Sequence, residues 1–561
     1  MKFLSTATNL EVLRREAKRW LRAVRSGDAA AVQRLNAAGV SASQPGLRDV
    51  QHALALEYGL PGWIALKDRV EELRRESQGI GELVKEFLEL ACLNYGVRPG
   101  TATWDQTFAD RPERHAAAAR ILARHPLITQ ASLHAAAAAG DAGAVRRWLS
   151  KRPESVNEPG GPHGWPPLLY LCFSRVPGPL SENAVIIARL LLEYGADPNV
   201  YFTDGANHFT PLTGAMGEGE AVPAAQPPHP QSRELARLLL DCGAEPFDKQ
   251  GLYNTALWNS TTDWLDLLHQ HSRRSGSQEA WTRRENGPRM IDILLDMAVT
   301  RNHLERVRWL IDHGADATAP GHYTKRPLHL VALLHGFISV AEVLERAGAP
   351  ITALSGYQAF QAACLSGDES GARRIAETNP AVLRQAAPLL IASQSGNVRA
   401  VERLLDLGVD PNVEGPHQPG RRALHTAAAA NSPAIARLLL ERGAQVDPVE
   451  KAFQATPLGW AVHHGHAPVI EVLAPLSRDL RALARAGCTA RLRELFHSDP
   501  SLARPELLFC LPSVDDCALE LAELLVGAGA APHVRNAEGR TPAEHAAFLG
   551  LDDTAAFLDP S

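Results

Sequence analysis

The chain is 561 residues long, 45% apolar and 21% charged, a composition that supports a packed core and excludes a disordered polymer. A formal net charge of −6 gives no chain-wide attraction for nucleic acid or for a membrane surface. The seven cysteines, at 92, 172, 242, 364, 488, 510 and 517, are scattered without a C-x-x-C pair, which argues against a disulfide framework and for reduced thiols in the cytoplasm. The opening MKFLSTATNLEVLRREAKRW turns charged before an apolar stretch of signal-peptide length can form, and no run reaches the length of a membrane span. Arginine outnumbers lysine and alanine is abundant, a bias of GC-rich bacterial genomes.

In chain order, residues 10–38 read as two helices. The first carries Leu13, Ala17, Trp20 and Val24 on one face and Arg14, Lys18, Arg22 and Arg25 on another. That basic face suits phosphates or an acidic partner, and more simply a solvated end of a stack. In 47–74, Gly59 ends one helix, Pro61 starts the next, and Trp63 is placed to plug the corner. ESQG at 76–79 reads as a linker. From Glu82 onward short helix pairs recur, with SLHAAAAAGDAGAVRRWLSKRP the clearest in this half. Three stretches rich in Pro, Gly, Ser and charge interrupt them, at 173–183, 217–232 and 271–286, and read as inserted loops.

Farther on, Arg421 to Asp447 reads RRALHTAAAANSPAIARLLLERGAQVD. Leu424, Ala427 and Ala428 form one thin helical stripe; Ile435, Ala436, Leu438, Leu439 and Leu440 form a thicker one. Pro433 suits the first turn of the second helix with Ser432 as its N-cap, and Gly443 supplies the left-handed residue that ends it. A unit of roughly 33 residues cannot bury two stripes alone and must stack on copies of itself. Gly-Ala or similar endings fall at Gly195, Gly243, Gly314, Gly348, Gly408, Gly443 and Gly529, and the spacings 34 and 35 are single repeats. Allowing for degenerate copies, roughly eleven to thirteen repeats are expected. The last, GRTPAEHAAFLGLDDTAAFLDPS, places Asp552 and Asp553 in its second helix, as a polar terminal cap should. Asp515 and Asp516 suit the start of another helix.

These units resemble ankyrin repeats: ALH-x-A-A stands for the family's TPLH-x-A start and LLLERGA-x-V-D for its finish. The resemblance implies an all-α fold, a solenoid of stacked helix-turn-helix repeats joined by extended or hairpin loops. It also implies that His134, His329 and His425 hold neighbouring repeats, and that Gly465-His466 is a joint between helices. Residues 47–74 resemble a short module that precedes ankyrin arrays in some bacterial proteins, so the expected division is a module over 1–78 and a solenoid over 79–561. GPHGWPPLLYLCFSR, NHFTPLTGAMGEGE, QPPHP and KQGLYN resemble strings of a group of bacterial ankyrin-repeat proteins, and that likeness carries no activity.

Insertions in repeat arrays map to one face, often the binding face. Eleven of the 32 aromatic residues lie between Trp165 and Trp264, about twice an even share. The candidate binding residues are therefore Trp165, Tyr170, Tyr201, Phe202, His208, Phe209, Glu218, Glu220, His229, Tyr253 and Trp258. The aromatics among them serve either as binding anchors or as pins for long loops. Asp204, His208, Glu218, Glu220 and His229 could also combine as a metal site or an acid–base pair, although loop residues impose no spacing. His463, His464 and His466 do not have the i, i+4 spacing of helical metal ligands. No phosphate-binding glycine loop or nucleophile motif is present. The expectation is a non-catalytic cytoplasmic scaffold, monomeric, without cofactor or metal, which binds a protein partner and neither nucleic acid nor membrane. The alternative is an enzyme or a small-molecule or metal-binding protein whose pocket is built by the insertions in 165–264. Thiol titration of denatured, unreduced protein should find all seven cysteines free; a shortfall of two or more would mean a disulfide.

Overall fold

The computed structural model describes residues 4, 10–40, 45–76, 79–95, 110, 112–220, 225–284, 287–415, 419–536 and 539–559. Short helices dominate, arranged as successive pairs, so each unit is an all-α repeat solenoid. The strands among the described residues are β1 (Phe202–Asp204) and β2 (Asn207–Phe209). The cysteines stand as free thiols. Residues 1–77 form one compact unit with 334–336 and 354–561, and residues 78–333 form the other with 337–353.

In the 78–353 unit, the pair Leu133–Ala139 and Ala142–Lys151 shows how a repeat is cut from the chain. The Ser132 hydroxyl caps the first helix by accepting from the Ala135 amide, and Asp141 caps the second through Ala144. Between them Gly140 has φ +76°, and a β-carbon there would lie 2.6 Å from Leu180 Cα, so both backbone and packing require glycine. All the alanines of Ala135–Ala139 are buried, which lets neighbouring helices approach closely. One continuous apolar core runs through this unit.

Neighbouring repeats are also tied by a recurring amide bridge. Asn157 donates to the Gly195 carbonyl at 2.7 Å and accepts from the Asp197 amide; Asn199 repeats this with Gly243 and Glu245. In the other unit Asn412 does the same with Gly443 and Gln445. The Gly endings visible in the sequence thus present carbonyls to the preceding repeat. His134 and His425 bridge to the carbonyls of Glu158 and Ala455, and His466 to that of Ala428. His329 differs from expectation: its Nδ1 is buried without a partner among the described residues.

Two expected features need correction here. Residues 271–275 continue the helix Asp263–Ser275 and do not form a loop. Beyond it Trp281 is buried, its indole donating to Ser272 Oγ at 2.9 Å, so this insertion folds back into the core; residues 285–286 lie outside the described residues. Pro433 does open its helix, but Ser432 makes no side-chain capping bond.

In the other unit, the helices Leu10–Arg25, Ala29–Ala37, Leu47–Glu57 and Trp63–Glu76 pack a small core that includes Leu519 of the helix Asp515–Gly527. The last repeat is therefore not the exposed polar cap that its aspartates suggested. Asp553 is 1% exposed and accepts from Trp63 Nε1 at 2.7 Å, Arg14 Nε at 2.9 Å and Lys67 Nζ at 2.9 Å. Arg14 also reaches Asp552, and Lys18 donates to the Asp559 carbonyl. Arg14 and Lys18 of the basic face thus grip the helix Asp552–Leu558, because paired charges can be buried where single ones cannot, while Arg22 and Arg25 are exposed. Asp515, expected at a helix start, also caps the helix Asp552–Leu558 by accepting from the Asp553 and Thr554 amides.

Burial by itself would raise the Asp553 carboxyl, but Lys67, Arg14 and Trp63 outweigh it and hold the group below the usual carboxylate range. A carboxyl depressed by folding contributes stability that is complete above its unfolded value and is lost as pH falls through the folded one. Asp553→Asn should cost about 3 kcal/mol, because two partly buried cations lose their buried counter-charge. Hydrogen exchange over the helix Leu47–Glu57 should accelerate in that variant at neutral pH, and in the native chain only below about pH 4. Unchanged exchange in the variant would show that the module is held by its apolar contacts alone.

Candidate functional site

The candidate site lies within the 78–353 unit, where β1 and β2 form a finger between two repeats. Phe202 pairs with Phe209, Thr203 with His208 and Asp204 with Asn207. Alternation along the strands sends Phe202 and Phe209 toward the core, and Tyr201 and His208 to the outer side, where their rings stack at 4.2 Å. A ring column props the finger from below: Trp165 stacks on Phe202 at 4.5 Å, Phe202 on Phe209 at 4.9 Å, and Phe209 meets Tyr95 at 4.9 Å. Aromatic pairs at these separations contribute beyond their buried area, which makes the finger rigid.

In front of the finger is an open cleft of about 1160 Å³. Its floor comes from the first helices of three successive repeats, through Leu212, Gln250, Tyr253, Asn254, Met290 and Ile293. Tyr201, His208, Glu220 and Glu245 stand at the finger and loop edges, with Tyr323 contributed by a later loop. Asp248 also lines it and is buried. It caps the helix Lys249–Trp258 by accepting from the Gly251 amide at 2.7 Å, and it also accepts from the hydroxyls of Thr210 and Thr213. Burial pushes its carboxyl up, against the pull of those hydrogen bonds. Its oxygens are therefore committed to tying one repeat to the next.

The loop after residue 216 closes one side. Glu218 lies at φ +59°, its amide donating to the Gln226 carbonyl while its own carbonyl accepts from Asn254. A β-carbon on Gly219 would lie 2.7 Å from the Tyr95 ring, so only glycine fits where this loop crosses the tyrosine. Trp258 donates its indole N–H to the Gly219 carbonyl at 2.6 Å. Tyr253 donates to Glu220 Oε1 at 3.1 Å; burial and that carboxylate push its hydroxyl up to about 12. Residues 221–224 lie outside the described residues.

The eleven candidate residues thus divide. Tyr201, His208, Phe209, Glu220 and Tyr253 line the cleft. Phe202 lies beneath it, and Trp258, though 48% exposed, pins the loop. Trp165, Tyr170, Phe209 and His229 are buried, so they are packing groups and not exposed anchors. Tyr170 donates to the Gly160 carbonyl and accepts from the His163 amide, which ties down the 160–165 loop. His229 Nδ1 accepts from the Gln231 amide, and burial pushes its ring well below the ordinary histidine range. Of the five residues considered for a metal or acid–base site, Asp204, His208 and Glu220 line the cleft, while Glu218 and His229 do not. Among the described residues no group of three or more His, Cys, Asp or Glu could hold a metal ion. Sequence reasoning missed Tyr95, Asp248, Asn254 and Tyr323. The string KQGLYN follows Asp248 and contains Asn254 but carried no functional reading, and nothing in sequence marks Tyr95 or Tyr323, which come from distant loops.

The paired helices, left-handed joints and β-finger define a helical repeat protein. Models of ankyrin repeats match residues 295–345 and 389–484. Over these residues the chain is built of ankyrin repeats. It is similar to palmitoyltransferase Hip14 of Drosophila melanogaster, 37% identical over 98 residues, 18% of this chain and 15% of that protein. It is also similar to NF-kappa-B inhibitor delta of Mus musculus, 34% identical over 116 residues, 20% of this chain and 35% of the relative. Ankyrin repeat and SOCS box protein 6 of Homo sapiens is 33% identical over 112 residues, 20% of this chain and 26% of its own. The chain therefore spans well under half the length of these relatives.

Trp165→Ala should cost about 3–5 kcal/mol in a denaturant titration, because it empties the base of the ring column. Tyr201→Ala should stay within about 0.5 kcal/mol, its ring being 51% exposed. Equal losses for the two would mean that the finger, too, is part of the core.

Proposed function

We propose that this chain is a non-catalytic interaction scaffold that takes a segment of a protein partner in the cleft beneath the β1–β2 finger. The observation that carries this reading is a set of tyrosines held at the cleft edge by rigid supports. Tyr201 stacks on His208 across the strand pair, Tyr253 is oriented by Glu220, and Tyr323 is 56% exposed. The loop bearing Tyr323 is fixed by buried Asp296, which accepts from the Tyr323 amide at 2.6 Å and from the Thr324 hydroxyl at 3.1 Å. Preorganised aromatics give contact area without the entropy cost of ordering loops on binding. Commitment of the Asp248 oxygens to Thr210, Thr213 and Gly251 favours this reading over a pocket for a small molecule, since this buried carboxylate of the cleft is already occupied by the protein's own donors. Ankyrin repeats in the family's members suit the same reading, and the absence of any described helix long and apolar enough to cross a membrane is compatible with it.

A photo-crosslinking residue at Tyr201 or Tyr253, in the native host, should yield an adduct with one and the same protein. The same residue at Arg237, exposed on an outer helix, should not. Against that protein, Tyr201→Ala and Tyr323→Ala should weaken binding by about 2 kcal/mol with an unchanged melting temperature. Adducts that form equally at Arg237, or undiminished binding by both variants, would remove the cleft from consideration.

A further inference from the structure

A second surface lies in the unit containing residues 354–561. The first helices of five successive repeats are Gly356–Ser366, Ala387–Gln394, Ala423–Ala429, Pro457–His463 and Leu480–Arg485, and they stack in that order. Not one of them contains Asp or Glu, although acidic residues outnumber basic ones in the chain as a whole. Exposed on or beside the last two are His463, His464, Arg481 and Arg485. The loop 449–455 leans over the same face and presents Phe453, 71% exposed, edge-on to Trp460 at 5.7 Å. The Arg421 guanidinium lies 4.9 Å above the Trp460 ring, and Lys451 is exposed beside Phe453.

The carboxylates near this face are turned to internal use. Glu450 is 1% exposed and accepts from the amides of Ala452 and Phe453, at 2.8 and 2.7 Å, so that it shapes the loop. Glu414 is paired with Arg422 and accepts from the Gly420 amide. Asp447 accepts from Ser477 and Arg478, and Asp479 from Thr456, Arg481 and Ala482. What remains outward is cationic and aromatic. Exposed aromatic groups ringed by cations recognise segments that combine carboxylates with an apolar anchor.

We propose that this face is a docking surface for an acidic segment of a partner protein. An apolar side chain of the segment seats against Phe453 and Trp460, and its carboxylates lie along Arg421, Lys451, Arg481 and Arg485.

The test uses the full chain and fluorescently labelled short peptides rich in Asp and Glu, each with one Leu, Phe or Trp. The same peptides with Lys in place of the acids serve as one comparison and heparin as another. The acidic peptides should bind at low salt, the lysine peptides should not, and affinity should fall as salt rises. Phe453→Ala, and separately Arg481→Gln with Arg485→Gln, should each weaken binding by about fivefold or more with helical content unchanged. Tyr201→Ala, in the cleft, should leave this binding unaffected, which separates the two surfaces. The proposal is overturned if no acidic peptide binds, or if Phe453→Ala has no effect. It is equally overturned if heparin binds as tightly and depends on the arginines alone, since the face would then be a general polyanion site.

Discussion

A helix pair in this chain has two apolar faces and only one partner of its own, and everything else in the structure depends on how the second face is covered. The alanine-rich first helices let neighbouring backbones approach closely; the leucine-rich second helices fill the space that is left. A fully buried Leu such as Leu439 contributes about 1.5–3 kcal/mol, but only when the next repeat is in place. The Asn-to-Gly carbonyl bridges at Asn157, Asn199 and Asn412 set the register of that stacking, since each satisfies a helix-end carbonyl that would otherwise be left to solvent. Stability is therefore local and shared between neighbours.

Stacking leaves the loops between repeats without a core, and buried carboxylates supply the missing order. Asp248 binds two threonine hydroxyls and a backbone amide, Asp296 the Tyr323 loop, Glu450 the Phe453 loop, and Asp110 the amides of Asn94 and Tyr95. A carboxylate suits this role because it accepts several N–H and O–H bonds at once, and charge-assisted bonds are stronger than neutral ones. In two of these loops the ordered tip is an exposed aromatic residue. Burial of charge and presentation of a rigid aromatic anchor are thus parts of one arrangement, and they place both the cleft and the acid-free face where side chains are held still without being covered.

Legibility differed between the parts for physical reasons. Helical stripes, Gly joints and Pro starts are set by local sequence, so the repeat pairs around 133–151 and 421–447 could be read directly. The aromatic excess in 165–264 marked the right region but not the division of labour within it. Trp165, Tyr170 and Phe209 look the same in sequence as Tyr201 and Tyr253, and only ring stacking and strand pairing tell buried from exposed. Tyr95 and Tyr323 were out of reach, because they arrive from loops more than a hundred residues before and after the β1–β2 finger.

The sequence by itself determined the repeat, its period, its all-α character and the capping chemistry of its helices, because each follows from residues within a few turns of one another. Only the tertiary structure decided what the charged groups do. In sequence the basic face of residues 10–25 and the aspartates at 552–553 both read as solvated ends. In the fold Arg14, Lys67 and Trp63 close on Asp553, because a carboxylate taken out of water requires partners at hydrogen-bond distance, and the chain holds those partners between 486 and 539 residues away.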